Sequence, residues 1–229
     1  MMPDLEAEKA LAARRAVEEV QDGMIVGLGT GSTANYAVKC LGERIANGLR
    51  IKAVSTSRTT EALALDLGVP LIPFEGLSAV DLTIDGADEI DHSLQAIKGG
   101  GGALLREKVI AAASARVIAV VDSSKFVTRL GRFPLPVEVF PFATEFVRAR
   151  LAALSAPVSL RMKGGHPFLT DQGNRILDVA FGSITDIRKT ALAIAAIPGV
   201  AEHGLFTFEI DTVIIARAGT VELRHADRS

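Results

Sequence analysis

The apolar positions of the chain follow two rhythms that alternate along its first half. Leu5, Ala12, Ala16 and Val20 recur at helical spacing, so residues 4–20 are expected as a helix with Asp4 as its N-cap. The next apolar block, 24–28, has no polar alternation, as in strands covered on both faces. A glycine-rich turn and a helix to about Asn47 follow it. The alternation then continues with a strand at 51–54 and an amphipathic helix at 59–67, stopped by Gly68 before Pro70. Strands are expected at 69–72, 80–84 and 94–97, a helix at 103–115 with Leu104, Val109, Ile110 and Ala113 on its apolar side, and a strand at 117–121. Apolar strands separated by helices predict an α/β fold, a Rossmann-like parallel sheet.

The pattern changes after Phe133-Pro134-Leu135-Pro136, where two prolines mark a boundary. Beyond it come strands at 137–140, 158–162 and 175–180 and helices at 144–154 and 186–197, with Asp171-Gln172-Gly173-Asn174 as a turn. Two helices among about four strands suggest a smaller α+β domain of ferredoxin-like type. Segments 213–216 and 221–223 return to the first domain. The expected division is 1–130 with 207–229 as the Rossmann-like catalytic domain, and 131–206 as a lid and oligomerisation domain.

Composition narrows the partners. Hydrophobic residues make up 48% of the 229, enough for a large core, while aromatics stand at 5% with no tryptophan. A net charge of −2 and so few aromatics give neither the basic footprint nor the stacking platform of a nucleic-acid binder. Cys40 is the single cysteine, which excludes an internal disulfide and suits a reducing cytoplasm. The acidic start MMPDLEAEKA is unlike a signal peptide, and no apolar run reaches the roughly 20 residues of a membrane helix. A soluble protein without a membrane partner is expected.

The chemistry concentrates in Asp85 to Lys108, DGADEIDHSLQAIKGGGGALLREK. Asp85, Asp88, Glu89 and Asp91 place four carboxylates within seven residues, and Gly99 to Gly102 is a costly stretch to order. Such a segment makes sense where acids move protons and glycine amides meet an anion, with Lys98 adding a full charge. The glycines lead into a helix N-terminus, where N–H groups lack internal partners, and Glu107 follows in the first turns. Gly29-Thr30-Gly31-Ser32-Thr33-Ala34 after the first strand reads as a phosphate cradle. It also fits the dinucleotide pattern G-x-G-x-x-A. In place of the ribose-binding acid of an NAD site stands Ser55-Thr56-Ser57-Arg58, in which Ser57 and Arg58 could accept an NADP 2′-phosphate. The turns GTGST, STSR, DGAD and Asp122-Ser123-Ser124-Lys125 each follow a strand, and ligands of such sheets bind outside the strands' carboxyl ends. The scattered His92, His166, His203 and His225 make no metal motif, and no G-x-S-x-G elbow is present.

GLGTGSTA at 27–34, DGADEID at 85–91, KGGGGALLREK at 98–108 and GRFPLPVEV at 131–139 together resemble ribose-5-phosphate isomerase, type A. The resemblance extends through NRILDV at 174–179 and IPGVAEHGLF at 197–206. It implies a Rossmann-like domain with an α+β lid, a homodimer or homotetramer, a sugar phosphate as ligand, and no cofactor. The reaction it implies interconverts D-ribose 5-phosphate and D-ribulose 5-phosphate in the non-oxidative pentose phosphate pathway. By motif position, Glu107 would be the general base. Thr30, Gly31, Ser32, Thr33, Asp85, Gly86, Ala87, Asp88, Lys98, Gly99, Gly100 and Gly101 would line the substrate site, with Lys125 and Lys9 as further contacts. Gly102, where alanine is expected, and Thr56 within the Ser55–Ser57 loop depart from the pattern.

The chemistry of an aldose–ketose isomerase fits these residues. A carboxylate that removes the C2 proton becomes the acid that returns it to C1. Lys98 and the glycine amides would stabilise the intervening cis-enediolate, and Asp85 or Asp88 would move protons between O1 and O2, a role that suits acids crowded together. Two other readings are open at this point: an NADP-dependent oxidoreductase, and a non-catalytic sugar-phosphate sensor.

Overall fold

The structure is a computed structural model that describes residues 3–227. It divides into two compact units. The first comprises the chain up to Ala87, Arg106–Phe126 and the chain from Phe208 onward; the second comprises Asp88–Leu105 and Val127–Thr207.

The first unit is built on a six-stranded sheet. Its strands run in the order Lys52–Ser55, Ile25–Leu28, Leu82–Asp85, Val117–Asp122, Thr212–Arg217 and Thr220–His225. The first five are parallel and the last is an antiparallel edge. The edge strand returns through a tight hairpin whose two central residues, Ala218 and Gly219, both have positive φ, as the twist of a two-residue turn demands. Numbered along the chain, the order is 2-1-3-4-5 plus the edge, a doubly wound sheet. Its switch point falls between Ile25–Leu28 and Leu82–Asp85, where ligands of such sheets bind.

Helices α1 (Leu5–Val17), α2 (Ser32–Ala46) and α3 (Arg58–Asp66) belong to this unit. Asp4 caps α1 as expected, its carboxylate accepting the Ala7 N–H at 3.1 Å. Ala12, Ala13, Ala16 and Val17 of α1 and Ala37, Val38 and Leu41 of α2 join Leu28, Ile84, Ile118 and Ile214 of the sheet in one core. Each buried Leu or Ile side chain contributes about 1.5–3 kcal/mol relative to exposure, so this cluster dominates the unit's stability. The expected strands at 69–72 and 80–84 are shorter than the apolar pattern suggested. Leu71 makes only an isolated bridge to Ala53, and regular pairing of the second begins at Leu82.

In the second unit, Leu135–Val139, α5 (Thr144–Ala152), Val158–Leu160, Arg175–Val179, α6 (Ile187–Ala195) and Val200–His203 follow one another as β-α-β-β-α-β. The sheet order is fourth, first, third, second, all antiparallel, which is the expected ferredoxin-like arrangement. Its core gathers Val137, Val139, Val147, Leu151, Leu177, Val179 and Ile194. A small sheet of Glu89–Ile90, Ala96–Ile97 and Leu205–Phe206 carries the segment that leads to Lys98. The strands Val200–His203 and Leu205–Phe206 were not expected from sequence, where Glu202, His203 and Gly204 break the apolar run between them.

Candidate active site

Among the expected residues of the first unit, Asp85 is the last residue of its strand. Asp85 is 4% exposed, and its Oδ1 accepts the N–H groups of Thr30 at 3.0 Å and Gly86 at 2.7 Å. This carboxylate therefore ties the first glycine turn to the second at the sheet's switch point. The turn's glycines are required by that closeness. A Cβ on Gly29 would lie 2.1 Å from Asp85 Oδ1 and 2.5 Å from its Cα, and one on Gly27 would lie 1.9 Å from Thr83 Oγ1. Gly31 serves differently: its φ of +111° is open to glycine, and it begins α2 without a side-chain cap. The first turn of α2, with Ser32 exposed and Thr33 buried, can thus offer N–H groups to an anion.

The Thr30 hydroxyl faces inward. It bonds Thr56 Oγ1 at 2.7 Å, Ser57 Oγ at 2.8 Å and Thr60 Oγ1 at 3.2 Å, while Thr60 donates to the Gly29 carbonyl at 2.9 Å. Ser57 also caps α3, accepting the Thr60 N–H at 3.1 Å. The Ser57 that a 2′-phosphate would need is therefore spent on holding the turn.

Lys125 sits half-buried in the turn after Val117–Asp122. Two acids not singled out in the sequence hold that turn. Asp122 accepts the Ser124 N–H at 2.9 Å and its hydroxyl at 2.5 Å. Glu8, on α1 and 3% exposed, accepts the Ser123 N–H at 2.9 Å and, with its other oxygen, the Ala218 N–H at 3.0 Å. Burial works to raise the Glu8 pKa, but the bonds from Ser123 and Ala218 outweigh it and hold the carboxyl below its ordinary value. A buried glutamate on an otherwise alanine-rich helix face was the available signal. Lys9, its neighbour, donates to Glu6 at 2.6 Å, and Glu6 also accepts the Tyr36 hydroxyl at 2.9 Å.

In the second unit the acids expected as a repelling cluster are dispersed onto backbone donors. Asp88 Oδ2 accepts the Gly100 N–H at 2.7 Å. Glu89, buried, accepts the N–H groups of Gly131 at 2.7 Å and Phe133 at 2.9 Å. Asp91 accepts those of Ser93 at 2.8 Å and Gln95 at 3.0 Å, closing a turn in which Leu94 has φ +58°; burial raises its pKa. Two of the four acids, Glu89 and Asp91, thus build loops. Lys98 is buried, with its ammonium 5.5 Å from the centre of the Phe206 ring. Gly99 and Gly102 have positive φ, and a Cβ on Gly102 would lie 2.5 Å from the Phe168 ring, so this backbone has no room for the alanine expected there. Arg161, also missed from sequence, donates to the carbonyls of Gly99 at 2.9 Å and Gly100 at 3.0 Å.

Glu107 lies on α4 (Leu104–Ala112) and is 3% exposed. The buried positions of α4 are Leu104, Glu107, Ile110 and Ala111, whereas Val109, expected on the apolar side, is 44% exposed. The base candidate therefore occupies the helix's buried stripe, one turn from Leu104, and the apolar Val109 lies off it. Of the expected residues, Lys9, Thr30 to Thr33, Asp85 to Ala87, Glu107 and Lys125 fall in the first unit, and Asp88 and Lys98 to Gly101 in the second. A cleft of about 1020 Å³ beside α1, lined by Asp4, Leu11, Arg14 and Arg217, contains none of them.

The family model for ribose 5-phosphate isomerase A (phosphoriboisomerase A) matches residues 52–220. The chain belongs to that family. The ribose-5-phosphate isomerase A of Sphingopyxis alaskensis is 69% identical over 98% of both chains. Among solved structures, a D-ribose-5-phosphate isomerase in complex with phospho-erythronic acid is 36% identical with a TM-score of 0.94, covering 97% of this chain and 99% of that one. The ribose 5-phosphate isomerase A of Methanocaldococcus jannaschii is 37% identical with a TM-score of 0.92, covering 96% and 99%. The isomerase reading holds, then, and the NADP-dependent oxidoreductase and sensor readings are not favoured. Among the described residues no cluster of three or more His, Cys, Asp or Glu could hold a metal ion, and no helix is long and apolar enough to cross a membrane.

Proposed function

We propose that Glu107 is the base of an isomerisation that proceeds by proton transfer. Its carboxylate takes the C2 proton of open-chain ribose 5-phosphate as the C1 carbonyl becomes an enediolate oxygen. The resulting acid then delivers a proton to C1 while the C2 oxygen becomes the ketone. Lys98 and the amides of Gly99 to Gly101 stabilise the enediolate charge, and Asp85 or Asp88 relays the proton between O1 and O2. The N-terminal turn of α2 with Ser32 and Thr33, together with Lys125 and Lys9, binds the phosphate and supplies binding energy remote from the reacting carbons. No cofactor enters these steps.

The observation that carries the reading is the near-complete burial of Glu107, nine residues after Lys98 on one continuous stretch of the family's pattern. The ligand of the 36%-identical isomerase supports it: that protein is in complex with phospho-erythronic acid, a phosphorylated sugar acid. The test is turnover of ribose 5-phosphate deuterated at C2, in ordinary water with chelator present. Partial or complete loss of deuterium to solvent, with a primary isotope effect, supports proton transfer. Full retention at C1 under all conditions points to a hydride shift and overturns it.

In the same reading, residues 131–206 act as a lid and carry a homo-oligomeric contact, a dimer or a tetramer. Phe140, Phe142 and Phe146 support the latter, for they crowd with Pro198 and Gly199 around an apolar cleft of about 670 Å³ in the second unit. The working compartment in this reading is the cytoplasm, where Cys40 stays a free thiol.

A further inference from the structure

Arg161 stands just past the strand Val158–Leu160 of the second unit, far in sequence from the residues assigned to the chemistry. Its guanidinium is held edge-on by Asp178, with Nε donating to Oδ2 at 2.9 Å and Nη2 to Oδ1 at 2.5 Å. Both side chains are largely buried, at 16% and 19% exposure. Nη1 is thereby aimed at the glycine run, where it bonds the carbonyls of Gly99 and Gly100 together. Such a fork is fixed in direction and always charged, which a lysine would not be.

The consequence follows from peptide geometry. The described chain has no cis peptide bond, so each carbonyl and the N–H that follows it point in opposite directions. The Gly99–Gly100 peptide is clamped from both sides: its carbonyl rests on Arg161 and its N–H on Asp88 Oδ2 at 2.7 Å. The Gly100–Gly101 peptide has its carbonyl on Arg161, so the Gly101 N–H is directed away from the arginine. A cation on a carbonyl also polarises its peptide and strengthens the N–H as a donor. Four successive glycines have the widest choice of conformations of any such run, and this pair of bonds selects one of them.

We propose that Arg161, aligned by Asp178, is a positioning residue that sets the two glycine peptides so that the Gly101 amide faces the charge forming on the substrate. The inference rests on the reading that Lys98 to Gly101 meet the enediolate. Because that charge exists only during the chemical step, the pair acts on kcat and leaves substrate binding nearly intact.

The test compares Arg161→Ala, Asp178→Asn and Lys98→Ala with the wild-type enzyme on ribose 5-phosphate, with and without added guanidinium. Loss of a preorganised donor predicts that Arg161→Ala lowers kcat by about tenfold to a hundredfold, with KM within roughly threefold. Guanidinium at millimolar concentration should restore part of that kcat and leave the wild type unchanged. Asp178→Asn, which keeps the shape, should lower kcat in the same sense by a smaller factor, and it carries the test if Arg161→Ala fails to fold. A folded Arg161→Ala or Asp178→Asn enzyme with unaltered kcat, while Lys98→Ala is inactive, overturns this inference alone. Unaltered kcat in Lys98→Ala overturns the reading beneath it as well. A loss in Arg161→Ala that appears wholly in KM, or that guanidinium leaves untouched, also counts against the positioning role.

Discussion

Replacing Glu8 with glutamine should unfasten the first unit at a point where three segments meet. The two carboxylate oxygens accept one backbone N–H each, from Ser123 and from Ala218, at 2.9 and 3.0 Å in a buried setting. Glutamine keeps one acceptor and turns an N–H₂ toward the other amide. That loses a charge-assisted bond and strands a buried donor, together about 2 kcal/mol. For a chain of this length the apparent Tm should fall by about 4–8 °C. The pH dependence gives a sharper sign. The folded Glu8 is held below its ordinary pKa, so its stabilisation is full above the unfolded value, near 4.3, and fades as pH falls through the lower folded value. Wild type and Glu8→Gln should therefore differ most at pH 7 and converge on acidification. Because the Ser123 amide belongs to the turn that carries Lys125, KM should rise more than kcat falls. Thermal melts of both proteins at pH 7 and pH 3.5, followed by circular dichroism, decide the matter. Equal midpoints at pH 7, or a difference that grows in acid, would refute the reasoning.

Three further outcomes follow from the same geometry. Gly29→Ala places a methyl 2.5 Å from the Asp85 Cα, which is backbone and cannot swing aside, so a folded variant should lose on the order of a hundredfold in kcat, read in the same turnover assay. Glu89→Gln removes one buried acceptor from the Gly131 and Phe133 amides and should cost about 1–3 kcal/mol in urea unfolding, while the C2 isotope effect stays at its wild-type value. Phe142→Asp puts a charge on a side chain exposed at 103%, in the apolar cleft assigned to self-association, and light scattering should show a smaller particle than wild type with an unchanged circular dichroism spectrum.

The sheet and the ferredoxin-like unit were legible because buried parallel strands and amphipathic helices leave long, unmixed periods. Asp4 and Asp186 could be placed at helix starts for the same reason, and both accept an N–H three residues on. The shortest strands carried no such signal, and Val109 shows that hydrophobicity alone does not choose a helix face. The acidic run illustrates a deeper limit. Four carboxylates in seven residues look like a single reactive cluster, yet the chain turns between them, and each finds backbone donors within reach. The glycines misled in a related way: Gly29 opens a dinucleotide-like motif but, like Gly27 before it, serves the close approach of the strand Leu82–Asp85. Arg161, Asp178 and Glu8 were invisible because their partners lie 61, 17 and 115 residues away, distances over which no local pattern exists.

The central claim is that Glu107 moves the proton, and the direct test is Glu107→Gln beside wild type. Conversion of ribose 5-phosphate to ribulose 5-phosphate would be followed with chelator and no cofactor, and substrate binding by calorimetry. Removal of the base predicts a kcat lower by about 10²–10⁴-fold with the dissociation constant nearly unchanged. A Glu107→Gln enzyme that turns over as fast as wild type would contradict the assignment and send the search for the base to Asp85 and Asp88.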